Sequence, residues 1–496
     1  MAETLASDLQ RHQSPNEGLA KDLTWLSVIG LGVSSEVGAG VFYLTAQVQG
    51  VVPGIGPHVP LVLIVDAILA AVLAVTYWFF SHSIAGAGGE YLFVSRSLGP
   101  QVGFVIHVVS WFGATASIGF LAYTAPSFIA QALMLVQKGA GLWMSSTIGT
   151  LVTGLFLIWL AWGIHVRGIK HVGTLVKIAM VVIFLAALSV IITGFTHNGT
   201  ELAQKLATHD QLSASYLSAH ATAHPSWLAF FEALPVLYFA YAGLRSATYA
   251  GGETPNAKMV VGRSILIVLA LVAVLYVSFA LALYHMAPWP VIAGLISTGH
   301  KSLANATALA GLFLPNWLAV TLSFGVAFIV FKTMLPGMMG QSRMLLAFAK
   351  DGWVPKPLAQ LSPRKTPVTA LTVGALLSSL ILIQTALTGT AFGLASSVLA
   401  GAIVHAALGL GLIFMPTLAP ALFAANKSWL VHYAGLRILL GSLMVLIGGG
   451  LGILVVIPEI KNPWYFNPLF QVLLFAGIGV VLFRHYAKRQ VPSTSS

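Results

Sequence analysis

Charge is what this 496-residue sequence has least of: Asp, Glu, Lys and Arg together make up 7% of it, against roughly 25% in an ordinary soluble domain. A chain so poor in charge, and 57% hydrophobic, is not a soluble enzyme. Cysteine is absent altogether, which removes a disulfide framework, a thiolate metal site and a cysteine nucleophile at one stroke. Neither H-E-x-x-H nor G-x-S-x-G occurs, so the residues of zinc-peptidase and serine-hydrolase chemistry are lacking, and no G-x-x-x-x-G-K-[ST] is present to cradle nucleotide phosphates. No enzymatic activity, metal or cofactor is therefore expected. The opening MAETLASDLQRHQSPNEG has no basic n-region or small-residue cleavage site, so the first apolar run is expected to stay on the protein.

What the chain does have is apolar length. Twelve runs bounded by Pro, Gly and charge are each long enough to cross a bilayer, which takes roughly 20 residues, and the fold class expected is an all-α membrane protein. The eighth run is read as 316–336, with the residues after it in a linking segment. Placing both termini in the cytoplasm puts most Lys and Arg inside and leaves only Lys138, Lys205, Lys301 and Lys461 in outside segments, as the positive-inside rule requires. The net charge of +11 is thus a topological signal directed at the lipid bilayer, and nucleic acid is not expected as a partner. The outside segment 195–225 is polar and is expected to be a solvated loop with a short surface helix. Its His197, His209, His220 and His224 lack metal-site spacing.

Two runs are poor continuous helices. The first reads Ser34-Ser35-Glu36-Val37-Gly38-Ala39-Gly40-Val41-Phe42, and the sixth reads Tyr238-Phe239-Ala240-Tyr241-Ala242-Gly243-Leu244-Arg245. Backbone groups freed at membrane depth need partners, so such breaks persist where they line a protected cavity. Interruptions in corresponding spans point to a midplane binding site. Glycine alone would also serve close helix packing, but Glu36, Lys177, Glu232, Arg245 and Lys332 lie within the runs, where charge is expensive and usually functional.

Gly38-Ala39-Gly40-Val41-Phe42, then Gly88-Gly89-Glu90-Tyr91-Leu92-Phe93 with Leu98-Gly99-Pro100 and Gly103-Phe104, Gly252-Glu253-Thr254-Pro255-Asn256, and Ser342-Arg343-Met344-Leu345 followed by Ala349-Lys350-Asp351-Gly352 and Thr366-Pro367-Val368, lie in that order between the right spans. Together they resemble the amino acid, polyamine and organocation superfamily of transporters. The resemblance implies a leucine-transporter-type fold, with a first inverted repeat over 24–194, a second over 226–417, peripheral helices in 418–485 and cytoplasmic tails at 1–23 and 486–496. It also implies a small-molecule amino acid or amine as substrate. The carboxylate would meet the amides of Gly38, Ala39 and Gly40, with Ser35 beside them. The ammonium would face the sixth-span segment Phe239, Ala240, Ala242 and Gly243, with Phe239 as an aromatic gate. Half-helix amides and their dipole suit an anion. Lys177 resembles a lysine that stands in for sodium in some members, which makes protons the expected coupling ion.

Two positions depart from the family pattern, Glu36 and Arg245. They can form an ion pair with each other, Arg245 can receive an acidic substrate, or Glu36 can receive a cationic amine. Asp66 and Glu232 are expected to face a wet vestibule, and His107 and His405 to serve packing or proton transfer. The function expected is alternating-access transport, proton-coupled or by exchange, in the cell membrane. A potassium transporter and a transporter-like amino acid sensor are the competing readings. Substrate charge and oligomeric state are not legible.

Overall fold

A computed structural model describes residues 24–490, without 85, 87, 210, 222, 389–391 and 461–462. The N-terminal tail, the last six residues and Lys461 lie outside the described residues. So do a few side chains within helices, including those of Lys170 and Lys177. Every regular element among the described residues is a helix, and twelve are long and apolar enough to cross a membrane. This is an integral membrane protein of all-α class.

The first span is made of α1 (Trp25–Glu36) and α2 (Thr45–Val51), joined through a π turn over Gly40–Leu44. Thr24 starts α1 by accepting the Ser27 N–H at 3.2 Å, which satisfies one of the unpaired amides of a helix N-terminus. Then follow α3 (Val59–Ser81), the short α4 (Glu90–Leu98), α5 (Pro100–Val136), α6 (Thr147–Val166) and α7 (Ile169–Thr196). The sixth span begins as α8 (Trp227–Tyr238). After it come α9 (Ala257–Met286), α10 (Asn316–Lys350), α11 (Val368–Thr388), α12 (Phe392–Leu418), α13 (Ala434–Glu459) and α14 (Pro468–Gln490).

Burial sorts these helices into a centre and a rim. The long α5 and α10 are enclosed over most of their length, whereas α13 and α14 expose most of theirs. The outward face is apolar, with Val274, Leu446 and Val481 among its exposed side chains, which is the surface that hydrocarbon rather than water accepts. Inside, small residues let backbones approach. A Cβ on Gly113 would meet Ala400, and one on Gly194 would meet the backbone of Ala282, the close contact that drives helix association where no hydrophobic effect operates.

Three expectations need correction. The eighth span does not end near residue 336: α10 runs on to Lys350 and carries Ser342 and Arg343 as buried residues. Pro336 and Gly337 look like a stop signal, but a proline inside a membrane helix is tolerated because neighbours and local adjustment satisfy the freed carbonyl. The outside segment holds two short helices, Gly199–His209 and Ala214–Ala219, rather than one. Asp66 faces no vestibule, since it is fully buried on α3 with neither carboxylate oxygen hydrogen-bonded.

The segment between the second and third spans is tied down by charge. Arg96 of α4 meets Asp351, just past the end of α10, through two contacts of 3.1 Å, and the Tyr91 hydroxyl donates to the same carboxylate. A largely desolvated, bidentate pair of this kind contributes more than an exposed one. We expect Asp351→Asn to lower stability by about 1.5–3 kcal/mol, measured by thermal or denaturant unfolding in detergent, and Arg96→Met introduced into that variant to add little more.

Candidate functional site

The two interrupted spans lie side by side and touch through their backbones. The last residue of α1 is Glu36, Val37 leaves helical geometry at ψ 102°, and no backbone hydrogen bond takes the N–H of Gly38 or Ala39. The sixth span does not unwind in the same way. After α8 it tightens into 3-10 helix over Phe239–Arg245 before resuming as Ser246–Tyr249, so the expected unwound break is here a change of pitch. Contact between the two segments depends on glycine. A Cβ on Gly40 would stand 2.6–2.7 Å from the Cβ and Cα of Ala240, and one on Gly243 would stand 2.6 Å from the carbonyl of Ser35.

A cavity opens beside this contact, between the first span, α5, the sixth span and α10. Ser35, Glu36, Ala39, Gly40, Phe239, Ala242, Gly243 and Arg245 all line it. The remaining two proposed substrate contacts do not. The space beside Gly38 is filled by Thr333, and Ala240 is pressed against Gly40 while its carbonyl accepts the Tyr276 hydroxyl at 3.1 Å. Phe239 stands edge-on to Phe120 of α5, with ring centroids 5.5 Å apart. From there the lining runs along α10 from Thr333 to Gln341 and along the sixth span to Tyr249, that is, toward the side of the bundle that carries the N-terminus.

The Ser35 hydroxyl is already engaged, donating to Ser246 at 2.6 Å across the two spans. Glu36 is 3% exposed, and neither carboxylate oxygen makes a hydrogen bond. The N–H groups of Gly243 and Leu244 and the charges of Arg245 and Lys332 all act on it, yet the amides fall outside hydrogen-bond geometry. No ion pair within 4 Å joins Glu36 to Arg245. The direct pair, one of the three readings of these two departures, is not closed in this structure, because the side chains enter one cavity from different walls.

Lys332, for which the sequence suggested no role, has a defined place. It is fully buried on α10, and its ammonium donates to the carbonyls of Ser34 and Val37, the latter at 2.8 Å. Those oxygens belong to the last turn of α1, the negative end of a helix whose C-terminal carbonyls have no partner of their own. The neighbouring Thr333 hydroxyl lies 3.4 and 3.5 Å from the same two oxygens. Lys177 belongs to α7, but its side chain lies outside the described residues.

Sequence reasoning also missed Gln341. Neither its amide nitrogen nor its oxygen has a partner, and it lines the cavity from α10. A glutamine in an apolar run was the available signal, hidden because the eighth span had been ended before it. On the α5 side the wall is Ala114, Ser117, Ile118 and Leu121, small or apolar residues that carry no motif.

The sequence model of the amino acid permeases matches residues 23–481. The chain belongs to the amino acid permease family. The chain is 24% identical over 403 residues to the branched-chain amino acid permease BcaP of Bacillus subtilis, covering 75% of this chain and 78% of that one. It is 23% identical over 489 residues to the vacuolar cationic amino acid transporter 8 of Arabidopsis thaliana, covering 97% and 76%, and 24% identical over 369 residues to the methylthioribose transporter of Bacillus subtilis, covering 72% and 73%. Membership places this permease among transporters within the amino acid, polyamine and organocation superfamily.

Two substitutions probe the site, one in the cavity wall and one behind the break. Gln341→Leu removes two unpaired polar atoms without opening a void, so stability should hold or rise while substrate affinity falls. Affinity equal to wild type would take Gln341 out of the site. Lys332→Met strands the two carbonyls of α1, and a loss of about 2 kcal/mol or more in thermal unfolding is expected, since each unsatisfied buried group costs about 1–3 kcal/mol.

Proposed function

We propose that this permease is a secondary transporter that carries a neutral amino acid across the cell membrane by alternating access, with both termini in the cytoplasm and transport driven by protons. The observation that carries the reading is the cavity itself. Residues singled out from two interrupted spans meet around one space at membrane depth, beside the unpaired amide of Ala39. A substrate carboxylate would sit at the Ala39 end of this break, with its ammonium toward Glu36 and the 3-10 stretch.

The choice of a neutral substrate rests on the walls. Ala114, Ile118, Leu121, Phe239 and Pro336 present apolar surface, and the charged lining residues are one acid and one base, Glu36 and Arg245. Neither sign is in excess, so no uncompensated charge awaits a charged side chain. The relative named for branched-chain amino acids fits this reading. Phe239 against Phe120 would be the lid on one side. The cavity's extension along α10 marks the route to the other, and the two arrangements alternate as one set of spans rocks on the other.

Lys332 holds, as a permanent part of the chain, the place a free cation would otherwise take on the α1 carbonyls. The exchanging proton is assigned to Lys177 of α7. Uptake into proteoliposomes tests the whole. Leucine, isoleucine and valine should accumulate under an inward proton gradient without sodium, and Lys177→Ala should retain binding while losing the dependence on that gradient. Selective uptake of glutamate or of lysine and arginine would overturn the neutral-substrate reading, potassium flux without amino acid uptake would overturn amino acid transport, and binding without flux would mark a sensor.

A further inference from the structure

On the other side of the sixth span lies a second, smaller cavity. It is bounded by α3, the start of α4, the sixth span and α12, and it encloses about 20 Å³. A water needs roughly 10–15 Å³, so the space admits water and excludes an amino acid. Four residues that line it each carry a buried polar atom without a hydrogen-bond partner: Oε2 of Glu90, Nδ1 of His405 and the hydroxyls of Tyr238 and Ser397. One such atom would be an ordinary imperfection. Four around one space, offering donors and acceptors together, are the partners a bound water requires.

Glu90 is positioned there by the backbone. The preceding Gly89 has φ +53°, and a Cβ on it would come within 2.6 Å of Tyr249 and Thr248, so only glycine lets α4 start this close to the sixth span. One oxygen of Glu90 accepts the Tyr77 hydroxyl from α3. The groups facing Glu90 from the sixth span are Arg245, Tyr249 and Tyr238, and His405 faces it from α12. Arg245 also acts on His405 and on His107 of α5, while Tyr91 and Arg96 of its own helix are turned to Asp351. Burial pushes the Glu90 carboxyl above its usual range, and Arg245 and the Tyr77 hydroxyl pull it back. Arg245 lines this cavity and the substrate cavity alike.

Building on the transport reading above, we infer that the second cavity is a water-mediated proton site, and that the protonation of Glu90 sets which cavity Arg245 serves. A proton from the aqueous phase passes through the water, oriented by the His405 imidazole, and ends on Oε2 of Glu90, so that the carboxylate becomes an acid. While Glu90 is ionised it draws the guanidinium toward itself. Once protonated it releases that charge toward the substrate cavity, where a positive group strengthens the hold on a carboxylate. Affinity is then highest at acid pH and falls as pH rises through the titration of Glu90.

The test uses the purified full-length protein, with leucine as the probe. Infrared spectra of the ligand-free protein, recorded as pH is raised, should lose a carboxylic acid C=O band that Glu90→Gln never shows. Leucine affinity should weaken about tenfold across that transition, the factor that corresponds to one pKa unit of coupling, and Glu90→Gln should hold the acid-limb value at every pH. Tyr77→Phe, which removes a hydrogen bond to the ionised form, should move both transitions to higher pH. A Glu90→Gln protein that keeps the band and the pH dependence, or a Tyr77→Phe protein with neither transition moved, overturns the proton site. Absence of leucine binding at any pH defeats the transport reading instead, and the infrared arm still decides the role of Glu90.

Discussion

A helix interrupted inside a bilayer leaves carbonyls that lipid cannot satisfy, and the ammonium of Lys332 meets that demand for the first span. Its donation to Ser34 and Val37 lets α1 end at membrane depth and sets where the chain resumes. The N–H groups of Gly38 and Ala39, which follow at the same interruption, have no backbone partner. Burying a lysine with no carboxylate in hydrogen-bond contact is expensive, and the two carbonyl partners together with the negative end of α1 offset that expense.

Around this point the packing is governed by glycine and by side chains smaller than their neighbours. Gly40 against Ala240, and Gly243 against Ser35, bring two backbones into contact, so movement of one interrupted span has to carry the other with it. The Ser35 to Ser246 hydrogen bond adds a directional link to a contact that is otherwise steric. Bulk lies farther out, in Phe239 against Phe120 and in the apolar lipid-facing rim, which constrain the bundle without specifying the ligand.

The charges near the centre are arranged as partners at a distance. Glu36 and Arg245 share a cavity without contact, and Arg245 also lines the space beside Glu90. An arginine placed between two carboxylates, locked to neither, can respond to a change at either one, which a closed ion pair could not do without first being broken. The closed pair of Arg96 with Asp351 lies outside the spans and fastens α4 to the end of α10.

The number of spans, the interruption at Gly38, the membrane class and the family were legible in the sequence, because each depends on local composition and spacing: some twenty apolar residues cross a bilayer wherever they occur, and Gly-Ala-Gly weakens a helix wherever it stands. Six of the eight residues expected to touch substrate, and Glu36 and Arg245 with them, line the cavity for the same reason, as they lie at the interruptions themselves. The sequence could not tell that Gly38 is covered by Thr333, that Ala240 spends its carbonyl on Tyr276, or that Glu36 and Arg245 stay apart. Those depend on the rotation of one helix against another, which follows from packing over the whole interface. Nor could it assign Lys332 or Glu90 a role, since a lysine in an apolar run names no partner until the fold brings the end of α1 against α10, and a carboxylate after Gly89 names no cavity until α4 is set against the sixth span.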